Sequence, residues 1–357
     1  MKLTIVTKNM GSGGSERVIA QLVNYASQKQ IAVDLILIDD RPIFYTLSPA
    51  VNVHIIGKKS GNPLLDKVLR YREVCQLIKD ISPNAVLSMP EEIGIYVIGA
   101  LLGTKIPVFV SERNDPRTMP YKKATRVLRK LLYPFADGYI FQTKQAASFF
   151  SRRIQAKGVV LPNPLDLSRI PEPYSEERSK VIVAAGRLNK QKNFPLLIDA
   201  FSEFYKTHSD YRLIVYGEGN LRESLTQYAQ SKLPESVFSF PGEERALLER
   251  MRDASLFVLS SDYEGMPNVL IEAMACGLPC VSTRCPSGGP EELIEPNVNG
   301  LLAPVNDAKA LSQAISFMID HPEEAASMGQ KATSVRERLN AEVVCQRWLT
   351  YLLKTEI

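Results

Sequence analysis

At 357 residues the chain is long enough for two domains of ordinary size, and its 45% apolar and 23% charged content is that of a soluble globular protein. Its longest apolar stretch, Ile93–Leu102, falls far short of the ~20 residues that a membrane-spanning helix needs, so no such span is expected. The net charge of +4 is unevenly split: residues 1–165 hold 23 Lys/Arg against 12 Asp/Glu and residues 166–357 hold 20 against 27, which points to an anionic partner for the first half.

The chain opens with a β-rich run, residues 2–7, where a secretory signal would need a longer apolar core. The protein is therefore expected in the cytosol or on a cytosolic membrane face. A Gly-rich loop follows, from Asn9 to Arg17, and then a helix over 15–29. A dinucleotide site with Asp39 or Asp40 as ribose acid would suit such a loop, but Glu16 stands where the third glycine should be. A nicotinamide-dependent oxidoreductase is disfavoured on that ground. Further strands are expected at 32–38, 84–88, 107–111, 138–142 and 158–161, and helices at 63–80, 91–102, 120–133 and 144–152.

Two segments of this half carry chemistry. The strand 107–111 runs into Ser111-Glu-Arg-Asn-Asp115, which is either an ordinary loop ion pair or part of a binding site. Residues 121–133 hold five basic residues and an apolar stripe at helical spacing. That helix either lies on an anionic membrane surface or lipid diphosphate, or docks on its sheet through Val127, Leu128, Leu131 and Leu132 with a solvated basic face. No nucleic-acid module is recognisable.

A polar, Pro-rich stretch, 162–174, reads as a connection between domains. Strands resume at 180–185, 211–216, 236–240, 255–260 and 279–283, so both halves alternate strand and helix as parallel α/β domains do. Strand 180–185 ends at Gly186-Arg187, with Lys192 close behind. Arg187 can fork two phosphate oxygens while Lys192 acts as a point charge. Gly217-Glu-Gly219 and Phe240-Pro-Gly242 end the next two strands as turns or as nucleotide-lining backbone.

The run from Ser260 to Glu292 is the most informative. A strand delivers Asp262 and Glu264 into a loop, Gly265 allows close backbone approach, and Pro267 is expected to open a helix that Gly277 ends. A helix start suits phosphate, and carboxylates at Glu264 and Glu272 suit sugar hydroxyls. Cys276, Cys280 and Cys285 cluster here without a nearby His or a zinc spacing; like Cys75 and Cys345 they read as reduced thiols.

Two Glu separated by seven residues and followed by Gly-Gly-Pro-Glu resemble the nucleotide-sugar site of family 4 retaining glycosyltransferases of the GT-B fold, a likeness running from Gly11 to about Asp307. The resemblance implies an α/β protein of two Rossmann-like doubly wound domains facing a central cleft. Residues 1–165 would bind acceptor, with a helix at about 341–357 returning to them, and residues 175–340 would bind the nucleotide sugar. It places Arg187 and Lys192 on the donor diphosphate, Glu272 on the ribose, and Glu264 with the backbone of Gly265, Met266, Pro267 and Asn268 on the sugar. Arg187, Lys192 and Glu264 would be the catalytic groups. Gly13 and Gly14, in a Gly-Gly-x-Glu-Arg loop, would close on the donor phosphate. Many members have a histidine near the acceptor pocket; this chain has none there, leaving Glu112, Arg113 and Asn114 as candidates to line it.

The implied reaction moves a hexose or N-acetylhexosamine from a nucleotide diphosphate sugar, UDP favoured and GDP next, to a saccharide on a polyprenyl diphosphate, in cell-surface polysaccharide synthesis of the O-antigen or capsule kind. Glu264 and Glu272 do not look placed as a nucleophile and acid/base pair, so same-face attack is expected, the leaving phosphate taking the acceptor's proton. No metal and no other cofactor is expected, since Asp262-Tyr-Glu264 is only loosely like a metal-binding Asp-x-Asp. Competing readings are a sugar-nucleotide 2-epimerase of the same fold and a non-catalytic sugar-nucleotide-binding subunit.

Overall fold

The computed structural model describes residues 1–174 and 176–355. They form two compact units, one of Met1–Pro164 with the chain from Ala341 onward, the other of Leu165–Asn340.

Unit 1 runs β1 Lys2–Thr7, α1 Gly14–Gln28, β2 Ala32–Leu37, β3 Val51–Ile55, α2 Pro63–Ile81, β4 Ala85–Ser88, α3 Glu91–Leu101, β5 Val108–Ser111, α4 Lys123–Leu132, β6 Gly138–Phe141, α5 Lys144–Ser148, α6 Arg152–Gln155 and β7 Gly158–Val160. Its seven strands pair in parallel in the order β3-β2-β1-β4-β5-β6-β7. Strands β4, β5 and β6 are buried along their whole length because helices cover both faces of the sheet. One face packs α1 around Leu22 and Val23; the other packs α3 around Val97 and Ile98.

Unit 2 runs β8 Ser179–Ala185, α7 Phe194–Tyr205, β9 Arg212–Tyr216, α8 Arg222–Gln230, β10 Phe238–Gly242, α9 Leu247–Met251, β11 Ala254–Leu259, α10 Asn268–Ala275, β12 Cys280–Thr283, α11 Gly289–Leu293, β13 Leu301–Ala303, α12 Ala308–Asp320, α13 Pro322–Ala332 and α14 Val335–Arg338. Six parallel strands pair as β10-β9-β8-β11-β12-β13, with Phe201 and Phe204 filling one face and Met274 and Leu270 the other. The chain then enters α15, Ala341–Leu353, whose Trp348 and Leu349 lie in the unit 1 core beside α1.

Several expectations need correction. The helix expected at 144–152 is broken into α5 and α6: Phe150 turns into the core against Tyr133 and Phe141, and Ser151 starts a new helix as its N-cap. Strands β3 and β13 were not anticipated; β3 is an edge strand with Val53 and Ile55 exposed, and β13 has only 3 residues. Pro267 is the N-cap of α10 rather than its first helical residue. The other end of α10 matches expectation: Gly277 has φ 68°, its N–H donates to Met274 O and that of Leu278 to Ala273 O, a Schellman closure.

The basic helix α4 also differs from its docked reading. Val127, Leu128 and Leu131 are exposed, while Arg129 is buried with its guanidinium on the carbonyls of Met119 and Pro116. Arg126 likewise turns onto the carbonyls of Thr118, Pro120 and Tyr121. The apolar stripe therefore faces outward with Lys122, Lys123 and Lys130 beside it.

Candidate functional site

In each sheet the strand order reverses direction at one place, between β1 and β4 and between β8 and β11. Open parallel sheets bind ligands beyond the carboxyl ends of the strands at such a point. In unit 2 these ends carry Gly186–Asn193 after β8 and Ser260–Gly265 after β11.

The two loops are laced together. Asp262 N–H donates to Gln191 O (2.9 Å), Gln191 Nε2 to Tyr263 O (2.9 Å) and Ser260 Oγ to Lys192 O (2.8 Å). Asn193 caps α7 through Leu196 N–H and also donates from Nδ2 to Asp262 Oδ1 at 2.6 Å. Burial pushes the Asp262 carboxyl above the usual range, against the pull of that hydrogen bond. Lys192 Nζ reaches Glu264 Oε1 at 2.6 Å, and Ser261 Oγ donates to the same oxygen at 2.8 Å. Arg187 contrasts with Lys192: it is exposed and makes no ion pair among the described residues.

The turn after β12 supports this loop from below. Ser287 Oγ donates to the Glu264 carbonyl, and a Cβ on Gly289 would run into the Gly265 carbonyl. The Gly-Gly-Pro-Glu run is thus needed for close backbone packing beneath Glu264 and Gly265. Gly217 and Gly219 play the same part between the loops after β9 and β8, where any Cβ would meet the backbone of Gly186 and Leu188. Gly265, Met266 and Pro267 are buried, and Asn268 and Glu272 are half-buried one turn apart on α10. The cap residue Pro267 makes no side-chain capping bond, so the partial positive charge of the α10 start faces this loop.

Thr283 Oγ1 donates to Ser261 O at 2.6 Å, and Cys285 Sγ does so at 3.3 Å. The Cys285 thiol is pushed up to about 12 by burial and then by the Glu264 charge, and burial raises Cys276 and Cys280 likewise. Such thiols stay protonated and make poor metal ligands. Among the described residues no group of three His, Cys, Asp or Glu is gathered as a metal site.

In unit 1, Gly13 is the N-cap of α1; the Glu16 carboxylate folds back over it, and Tyr45 Oη donates to its carbonyl at 3.1 Å. Gly14, the first helical residue, is exposed. The acceptor candidates are placed differently from one another. Glu112 is 1% exposed, takes a hydrogen bond on Oε1 from Tyr133 Oη, and has Oε2 3.6 Å from Arg129. Burial, joined by the charge of Glu91, raises its carboxyl to about 8. Arg113 donates to Asn163 Oδ1 at 2.5 Å and lies 5.7 Å over the Trp348 ring, with Nε and Nη1 buried and unbonded. Burial lowers its guanidinium to about 10. Asn114 is half-buried and accepts from Asp115 N–H.

Sequence reading did not single out Ser261, Asn193 or Gln191. Asn193 was findable, since an Asn two residues before a helix-opening Pro is a cap signal. Nothing in sequence marks Ser261, whose contact depends on how the loop folds.

Two Rossmann-like parallel-sheet units give the chain the GT-B fold. The family model described as glycosyl transferases group 1 matches residues 169–335. The chain is 29% identical, over 99% of both chains, to a Campylobacter jejuni protein named N-acetylgalactosamine-N,N'-diacetylbacillosaminyl-diphospho-undecaprenol 4-alpha-N-acetylgalactosaminyltransferase. A second protein of that organism, an alpha-1,4-N-acetyl-D-galactosaminyltransferase acting on a diphospho-undecaprenol saccharide by its name, is 25% identical over 100% of this chain and 99% of its own. Among solved structures, Anabaena HepE in complex with UDP and glucose has the same fold, with TM-score 0.83 at 18% identity over 99% of this chain and 100% of that one. No helix among the described residues is long and apolar enough to cross a membrane.

Proposed function

We propose that this glycosyltransferase moves an N-acetylhexosamine or hexose from its UDP derivative, with retention of configuration and without a metal, to a saccharide carried on a polyprenyl diphosphate. The carrying observation is Arg187, an exposed guanidinium without an ion pair among the described residues, in the loop after β8 that also carries Lys192, at the strand-order switch point. That set of donors suits a diphosphate whose charge grows as the glycosidic bond breaks, and it is oriented before reaction. The names of the Campylobacter relatives support a polyprenyl diphosphate acceptor and an N-acetylgalactosamine donor, and the HepE complex supports UDP.

In this reading the leaving phosphate oxygen takes the acceptor hydroxyl's proton on the face from which it departs, so no side-chain base is required. Arg187 and Lys192 supply the positive charge that a metal would otherwise bring. The outward apolar and basic face of α4 supports peripheral attachment to an anionic membrane, where such an acceptor would be presented.

The test is a panel of nucleotide sugars scored by thermal shift and by release of nucleotide diphosphate. UDP-N-acetylgalactosamine is expected to stabilise the wild type and to release UDP slowly. Arg187→Ala should lower turnover by about 100-fold or more, the scale of removing one oriented charge donor. Equal responses from the wild type and Arg187→Ala, or full activity lost only on chelation of metal, would reject the reading.

A further inference from the structure

Lys192 and Glu264 are given to different parts of the donor by the proposed reading, one to the diphosphate and the other to the sugar hydroxyls. Yet they hold each other at 2.6 Å, with side chains only 14% and 10% exposed. The oxygen they share, Glu264 Oε1, has a second partner in the fully buried Ser261 hydroxyl. These two partners differ in freedom. Lys192 sits on a flexible four-carbon stem at the end of a short 3-10 turn, whereas Ser261 is fixed in the loop, its carbonyl held by Thr283.

We propose that the Lys192–Glu264 pair is a donor-operated exchange. Paired as they are at 2.6 Å, the two charges neutralise each other. An intact nucleotide sugar draws Lys192 onto its diphosphate while a sugar hydroxyl takes the ammonium's place on Glu264, and Ser261 keeps the carboxylate aimed throughout. Ser261 is thus a positioning residue. The inference rests on the proposed donor reading and adds a consequence to it. A free nucleoside diphosphate can take Lys192 but leaves a largely buried carboxylate without its cation, which is costly. The site therefore favours the intact donor over the spent nucleotide, and the product is released more readily than the substrate. Arg187, with no ion pair to give up, attracts both alike.

Calorimetric titration of UDP, used alone, tests this on the full-length protein and its variants. Lys192→Ala should weaken UDP by about tenfold, the loss of one charge-assisted contact. Glu264→Gln should tighten UDP by about fivefold to tenfold, since Lys192 no longer leaves a carboxylate behind. Glu264→Ala carries the same expectation should the amide variant fold poorly. The double variant Lys192→Ala/Glu264→Gln should match Lys192→Ala, because the exchange needs both partners. Ser261→Ala should leave UDP affinity unchanged and raise KM for the nucleotide sugar, with Ser261→Thr restoring it. If Lys192→Ala weakens UDP while both Glu264 variants bind it no better than wild type, the exchange is wrong and the donor site stands. If UDP does not bind, or Lys192→Ala binds it as the wild type does, the donor reading fails and the exchange with it.

Discussion

Glu112 sits in the unit 1 interior as a carboxyl that the fold prefers neutral. Burial outweighs the attraction of Arg129, and Glu91, also buried and also raised, adds a like charge nearby. A carboxyl at about 8 in the folded chain and near ~4.3 in the unfolded one contributes stability that is fully present below the unfolded value. That contribution is lost as pH rises through the folded value, because the unfolded state gives up its proton first. Glu112→Gln keeps an acceptor for the Tyr133 hydroxyl, and Arg129 retains the carbonyls of Met119 and Pro116. The variant and the wild type should therefore melt alike near pH 5 and diverge toward pH 8, with the variant higher by about 5 °C at the scale expected for a unit of this size. Melting curves across that range decide it; a gap that stays constant, or one that favours the wild type at pH 8, would show the carboxylate to be stabilised instead. The identity of Glu112 as a buried group was not legible in Ser111-Glu-Arg-Asn. Burial of a charged residue at a strand end depends on partners 17 and 21 positions away, Arg129 and Tyr133.

At the scale of elements, legibility followed packing. Strands buried on both faces write themselves as apolar runs, and all eleven expected strands lie within two residues of where the strands fall, β10 over Phe238–Gly242 among them. What the pattern could not give is what neighbours decide. The 3-residue β13 exists because β12 offers it an edge, and α5 stops because Phe150 is drawn into the core. In α4 the apolar stripe was plain but its direction was not, since inward-turning Arg126 and Arg129 anchor the helix by guanidinium–carbonyl bonds that periodicity does not encode. The outward stripe with Lys122, Lys123 and Lys130 carries a prediction. The wild type should sediment with vesicles containing phosphatidylglycerol and much less with pure phosphatidylcholine, the difference shrinking as salt rises. Replacing the three lysines with Gln should cost about tenfold or more in partitioning, at roughly 1 kcal/mol per lysine near the surface, and Leu131→Glu should weaken it further. Equal partitioning onto both vesicle types at every salt concentration would leave α4 without an electrostatic membrane role.

For the whole molecule, the Ser260–Glu292 pattern made the strand, loop and helix order of this part of unit 2 legible in the sequence. Its inner contacts were not readable, because Lys192 and Glu264 lie 72 positions apart and the Ser261 contact depends on how the loop folds. The return of the chain to unit 1 is the other long-range feature. Leu165 and Asn340, where unit 2 begins and ends, pair as a bridge, and the next residues enter α15. There Trp348 is 1% exposed, donates from Nε1 to Pro162 O and lies under Arg113, while Tyr351 binds the backbone of Tyr139 and Lys157. Unit 1 thus completes its core only with the last segment of the chain, whereas both cores of unit 2 are made entirely from Leu165–Asn340. Truncating Trp348 to Ala should cost about 3–5 kcal/mol, the range for a large buried aromatic, and the loss should fall on unit 1. Hydrogen exchange followed peptide by peptide should then accelerate in β1, β4 and α1 while β8, β9 and β11 keep wild-type protection. Equal acceleration in both sets would mean that the two units unfold as one, and an unchanged unit 1 would mean that α15 contributes little to its core.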